Sequence, residues 1–325
     1  MKTWIEFDEA PVFAIPLTDA VGELTVCEGM LIEGPQGWGE FSPPPGCDDR
    51  MAARWLTAAI EVGTVGWPDP VRGRVPVAVN VPSVDQVRAR QLVADAGCRT
   101  AAVRVGDRVD SLAGDIARVE AVRDALGPLG AIRCDANGNW DVNTAVEAVP
   151  ALDRAAGGLE FIEQPCAGLD EIARLRRLID VPIAVDQSVR DAPDPLRAGL
   201  AEAADIAVLS VAALGGVRRA LRVADSCGLP CVAAEELHSS IGVTGGLALA
   251  GVLAETGFAS ALGGVRLLSG DVVTPGRSLI PADGCLPVAP IPPAPDPDRL
   301  ERFGTSDPEI VARWRRRLAA AQRYL

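Results

Sequence analysis

At 325 residues, with 48% hydrophobic, 23% charged and 4% aromatic residues, the chain can build a sizeable core and is too apolar for disorder. Its formal charge of −13 argues against a general nucleic-acid or anionic-membrane surface, which needs clustered lysine and arginine to meet phosphate. No opening stretch reads as an export signal and no apolar run reaches about 18 residues free of charge, glycine or proline, so a soluble cytoplasmic protein is expected.

Residues 11–16, 23–33 (ELTVCEGMLIE) and 37–41 alternate in places and are punctuated by glycine and proline, which predicts antiparallel strands; a helix over 49–65 follows. Near residue 75 the period changes. VPVAVNV (75–81) precedes a predicted helix over 84–96, TAAVRVG (100–106) one over 112–126, and AIRCDAN (131–137) one over 142–155. The series continues with 158–165, 181–187, 205–211, 229–236 and a weaker 258–264. That makes eight strands, each but the last followed by a helical stretch, and eight parallel units close most naturally into a (β/α)8 barrel. With no GxGxxG after the first strand, an open dinucleotide-binding sheet is the weaker alternative. Beyond 267 the pattern fails; the proline-rich 286–298 predicts an extended connection, and 308–324 a terminal helix. The expected fold is thus α/β, with an N-terminal α+β capping domain over 1–73, a barrel over 74–266, and a C-terminal segment over 267–325 that packs back on the cap.

Several features have ordinary accounts. The eight cysteines form no CxxC pair, and beside a single histidine the four-residue gap between Cys227 and Cys231 lacks a zinc pattern, so buried reduced thiols are expected. The six tryptophans are read as core and interface packing, and the run Arg313 to Arg317 as a solvated helix face.

In such barrels chemistry sits at the C-terminal ends of the strands. Asp135 ends the third strand, Glu163 the fourth and Asp186 the fifth, so three consecutive units deliver one carboxylate each to one rim. Singly, each has a plainer reading: Asp135 in an Asx turn, Glu163 as a solvated strand end, Asp186 as a helix cap. Together they would repel one another unless a cation lay between them, and three hard oxygen ligands with open positions suit Mg2+.

The stretches DANGNW (135–140), EFIEQP (160–165), PIAVDQS (182–188) and VLSVAALGGVRRAL (208–221) resemble the muconate-lactonizing subgroup of the enolase superfamily, and within it the o-succinylbenzoate synthases of actinobacterial type. FAIPL (13–17), EGMLIEGPQGWGEFSP (28–43) and VPVAVNVPSV (75–84) extend the likeness over nearly the whole chain. The resemblance implies a capping domain on a barrel, one Mg2+ on Asp135, Glu163 and Asp186, a small carboxylate substrate, and removal of the proton α to that carboxylate. It further implies dehydration of 2-succinyl-6-hydroxy-2,4-cyclohexadiene-1-carboxylate to 2-succinylbenzoate in menaquinone biosynthesis. It leaves open whether the chain is monomeric or homo-oligomeric.

The resemblance also implies two lysines flanking the substrate, and this chain departs there. Arg104 stands at the second-strand position and Ser210 at the sixth; Gln187 replaces the acid beside Asp186, and the 17–23 loop carries acids where arginines are implied. A guanidinium keeps its proton, so Arg104 can pair with a carboxylate but is a poor base. His238, just past the seventh strand, is a candidate base for an epimerase or cycloisomerase, or else a partly exposed rim residue, with Glu235 and Glu236 as a solvated strand end. Gly215 and Gly216 either let a substrate carboxylate approach the backbone or serve a tight turn. Three readings follow: a synthase, a catalytically impaired pseudoenzyme that binds a small carboxylate or a partner, and an epimerase or cycloisomerase.

Overall fold

The computed structural model describes residues 5, 7–107, 111–289 and 292–325. Three antiparallel strands, β1 (Val12–Val21), β2 (Leu24–Gly34) and β3 (Gly37–Phe41), form a small sheet packed on α1 (Asp49–Thr64). The sheet lies almost backbone to backbone on that helix: a Cβ at Gly39 would sit 2.4 Å from the Ala59 carbonyl oxygen, so only glycine fits. Met30, Phe41, Trp55 and Leu56 fill the space between them.

After β4 (Arg74–Pro76) come the repeating units: β5 (Ala78–Val81) and α2 (Gln86–Ala96), β6 (Thr100–Arg104) and α3 (Leu112–Leu126), β7 (Ala131–Asp135) and α4 (Val142–Ala156). Next are β8 (Ile162–Glu163) and α5 (Leu169–Leu175), β9 (Ile183–Val185) and α6 (Gln187–Arg190), and β10 (Ile206–Ser210) with α7 (Val211–Leu214) and α8 (Val217–Cys227). Finally β11 (Cys231–Ala234) leads to α9 (Ser240–Val252). Aspartates start several of these helices: Asp85 accepts from the Arg88 amide at 2.9 Å and Asp141 from the Thr144 amide at 2.7 Å. Strands β11-β10-β9-β8-β7-β6-β5 make one parallel seven-stranded sheet.

Two expectations need correcting. Residues 258–264 form no strand; the barrel closes there through single bridges, Val77 to Ser260 and Ala234 to Ala261, which join both sheet edges to one segment. The fifth unit lacks a full helix: one turn at Gln187–Arg190 gives way to 3-10 turns at Pro195–Arg197 and Leu200–Glu202. Pro193 and Pro195 remove the amide donors that a longer helix needs.

The C-terminal part contributes β12 (Cys285–Pro287), antiparallel to β4, then α10 (Pro297–Phe303) and α11 (Pro308–Gln322). Within the predicted extended connection 286–298, residues 290 and 291 lie outside the described residues. Trp314, Leu318 and Ala321 of α11 pack against the α1 core, and Arg315 donates to the Phe7 and Ala10 carbonyls while Arg317 donates to Pro44 at 2.5 Å. Within the basic run Arg315 and Arg317 thus clasp the cap, while Arg313 and Arg316 stay exposed, so the solvated face expected from the sequence holds only in part. Five cysteines are buried as expected, but Cys47, Cys227 and Cys285 are half-buried. Among the tryptophans Trp55, Trp140 and Trp314 are buried, Trp38 and Trp67 half-buried, and Trp4 lies outside the described residues.

Candidate active site

Strand register lines the rim in order. Arg104 pairs with Asp135 across β6 and β7, Asp135 with Glu163 across β7 and β8, and Ser210 with Ala234 across β10 and β11, one residue before Glu235. Arg104, Asp135, Glu163, Asp186, Ser210, Glu235 and Glu236 all line one cavity of about 980 Å³, roofed by the β1–β2 turn and by Arg313, Trp314 and Arg317 of α11. The roof is tied down: Arg88 of α2 donates to both oxygens of Asp19 at 2.9 and 2.6 Å, and Trp314 donates to Glu28 at 3.0 Å.

The three acids sit differently. One Asp135 oxygen accepts from the Asn137 amide at 2.8 Å, which is the Asx turn, while the other faces Arg104 at 3.0 Å. Burial pushes the Glu163 carboxyl well above its usual range, Asp135 and Asp186 raise it further by repulsion, and Arg133 and Arg104 oppose them. Burial likewise pushes Asp186 up to about 7, against Arg190 and with Glu236. Arg190 holds Glu236 at 2.9 Å and approaches Asp186 at 4.0 Å, and Arg54 of α1 donates to its carbonyl oxygen at 2.6 Å.

Sequence reasoning missed Gln164. It is fully buried with φ 39°, a conformation non-glycine residues seldom adopt. Its amide nitrogen donates to Cys166 and Ser188, and its oxygen accepts from the Asp186 and Ser188 amides at 3.1 Å. It thus fixes the end of β8, carrying Glu163, to the end of β9, carrying Asp186. A polar residue beside a strand-end acid was the available signal.

Other predicted residues are placed less centrally. Neither Gly215 nor Gly216 lines the cavity. Glu61 of α1 already accepts from the Val217 amide at 2.6 Å, and a Cβ on Gly216 would meet that carboxylate at 2.3 Å, so the turn and the docked acid account for both glycines. His238 is no rim residue: it is 2% exposed, faces a second cavity of about 30 Å³ with Glu40, Glu235 and Gly242, and is held by burial at about 4. Glu235 is no solvated strand end either, its side chain being 1% exposed.

The donor set fits a hard divalent cation in chemistry, since three carboxylates at neighbouring strand ends repel one another and burial has already raised two of them. In spacing, no group of three or more histidine, cysteine, aspartate or glutamate side chains among the described residues is gathered closely enough to hold a metal ion. One of the three carboxylates, that of Asp135, is held against a fixed cation at 3.0 Å, the Arg104 guanidinium.

Residues 85–293 match the family described as Enolase C-terminal domain-like, and residues 12–63 that described as Enolase N-terminal domain-like. The chain belongs to the enolase superfamily. Among its enolase-superfamily relatives, it is 50% identical over 316 residues to the o-succinylbenzoate synthase of Thermobifida fusca, covering 95% of each chain. It is 45% identical over 298 residues to that of Mycolicibacterium smegmatis, covering 91% of this chain and 90% of the relative. The fold matches the muconate lactonizing enzyme from Pseudomonas fluorescens complexed with muconolactone, with TM-score 0.77, 22% identity and coverage of 94% and 100%. It also matches the L-Ala-D/L-Glu epimerase from Bacillus subtilis, with TM-score 0.72, 21% identity and coverage of 90% and 98%. The lysines implied by the sequence resemblance are absent from this superfamily member, whose one lysine is Lys2.

Proposed function

We propose that the chain is a carbon–oxygen lyase of the o-succinylbenzoate synthase type, dehydrating 2-succinyl-6-hydroxy-2,4-cyclohexadiene-1-carboxylate to 2-succinylbenzoate in menaquinone biosynthesis. The observation that carries this reading is the 50% identity over 95% of both chains to a synthase of that name. A cytoplasmic location goes with it; among the described residues, no helix is long and apolar enough to cross a membrane.

Asp135, Glu163 and Asp186 would hold a divalent cation, read here as Mg2+, once Asp135 exchanges Arg104 for it. Bound there, the cation would supply charge to polarise the substrate carboxylate. Arg104 and Arg190 would orient that carboxylate at the rim by charge-assisted hydrogen bonds. The roof formed by the β1–β2 turn and α11 would exclude water from the ring. His238 lines only the small second cavity, so the epimerase or cycloisomerase reading loses the group it leaned on.

A second reading is a site that binds a small carboxylate without turning it over, and the Arg104–Asp135 pair at 3.0 Å favours it. Incubating purified protein with the cyclohexadiene and Mg2+, then with excess chelator, decides between them. Chelator-sensitive appearance of 2-succinylbenzoate is expected; conversion no faster than in buffer would sink the synthase reading and leave the binding one.

A further inference from the structure

The end of β11 away from the cavity carries two thiols that the site does not use. Helix α8 ends at Cys227, residues 228–230 make the turn, and β11 begins at Cys231. The two sulfurs lie 3.7 Å apart, in hydrogen-bond contact, and no other two cysteine sulfurs among the described residues are so close. Neither residue lines the cavity, which β11 reaches only at Ala234. Cys227 is half-buried in a turn whose neighbours Asp225, Ser226, Gly228 and Pro230 are exposed, so small solutes have access to it, whereas Cys231 is 7% exposed. A disulfide holds its sulfurs at about 2.05 Å, so closure asks only a small give of the turn. Gly228, at φ 69° with open space around it, can supply that give.

We propose that Cys227 and Cys231 form a reversible oxidation site, in which a hydroperoxide oxidises Cys227 and Cys231 then closes a disulfide. This inference goes beyond the synthase reading and does not rest on it. In the first step the Cys227 thiolate attacks one peroxide oxygen; the S–O bond forms, the O–O bond breaks, and the leaving oxygen takes a proton to become water. In the second, Cys231 gives up its proton and its sulfur attacks that of Cys227; the S–S bond forms, the S–O bond breaks, and a second water leaves. Two thiols are oxidised by two electrons and one peroxide is reduced, so the sequence balances. Two equivalents of a small-molecule thiol reverse it by exchange, leaving as their own disulfide.

The surroundings divide the two roles. A hydrogen bond from the Cys231 thiol, with help from the Leu229 amide, holds Cys227 down at about 6 against the opposing effects of burial and of the nearby Asp225 carboxylate. The same bond, then burial, pushes Cys231 up, which suits a thiol that waits for its partner to be oxidised. Burial pushes up the thiols of Cys27, Cys47, Cys98, Cys134 and Cys166, so these are poor nucleophiles at neutral pH. A disulfide of this kind in a reducing compartment is transient and responsive rather than structural. Closed, it would clasp the end of α8 to the start of the strand that carries Glu235 and Glu236 to the rim.

Full-length wild type, C227S and C231S are treated with a slight excess of hydrogen peroxide, then denatured, alkylated and mapped by mass spectrometry. Wild type is expected to lose two of its eight thiols, to yield one peptide bridged between Cys227 and Cys231, and to regain both thiols in dithiothreitol. C231S is expected to stop at a sulfenic acid on Cys227 that dimedone traps, and C227S to react roughly tenfold more slowly than wild type. In the unoxidised chain, alkylation of Cys227 should reach half its maximal rate at a higher pH in C231S than in wild type. Eight free thiols after peroxide, or oxidation spread evenly over the other cysteines, would overturn the assignment. So would a C227S that consumes peroxide as fast as wild type. None of these readouts uses turnover, so the synthase reading stands or falls separately.

Discussion

At the scale of single residues, the contact that governs the site is Arg104 to Asp135. A fixed guanidinium at 3.0 Å from a would-be ligand competes with any incoming cation. R104A should therefore tighten Mg2+ binding by roughly tenfold in calorimetry, about 1.4 kcal/mol of relieved repulsion, whereas D135N should abolish it. Equal affinity in R104A and wild type would show that the pair does not gate the site. Asp135, Glu163 and Asp186 were legible in the sequence because each ends a β-branched run, and strand ends face the rim. Glu235 was not, since EE before a histidine reads as solvated surface; only the closure of the barrel puts one of the pair inside and leaves Glu236 on Arg190. Gln164 escaped for a similar reason: its hydrogen bonds run to a neighbouring strand, which no local pattern reveals.

Among elements, the cap and barrel are joined through buried acids. Glu40 of β3 accepts from the Ser239 and Gly242 amides at the start of α9, both at 3.2 Å, and from the Ser42 hydroxyl at 2.7 Å. E40A strands those donors in a dry interface and should lower unfolding stability by about 1–3 kcal/mol in urea titrations. The pH dependence has a definite sign. Burial, with Asp271 nearby, raises Glu40 from the model-peptide 4.5 to about 7, so the folded chain keeps a proton that the unfolded chain releases. This contribution to stability is full below about 4.5 and is lost as pH rises through about 7. E40Q should flatten the stability curve across that window; an unchanged slope would show that Glu40 is ionised throughout. The element boundaries most legible in the sequence were those with local signals, such as α3 at 112–126 and β3 at 37–41. The fifth helix and the eighth strand were overpredicted, because extrapolating a repeat ignores two prolines and a closure that needs only single bridges.

For the whole molecule, composition reframes the missing lysines. Of 31 basic residues one is lysine, so arginine is this chain's general cation, and Arg104 fits that habit. Ser210 does not, since it carries no charge at all, and its nearest acidic neighbour is Glu235. The seam at 260–261 has a wider consequence. Four backbone hydrogen bonds stitch it: Ala78 to Ser260, Ser260 to Pro76, Ala261 to Ala233 and Glu235 to Ala261. A stitch that short is where a cylinder of strands leaks first, so the amides of Ser260, Ala261 and Glu235 should exchange with deuterium sooner than those within β6 and β7. Equal protection would mean that the wall opens only as one piece. With an earlier leak, the hoop of the barrel would breathe on the flank that bears Glu235, at a seam whose Ala261 is itself part of the cavity wall.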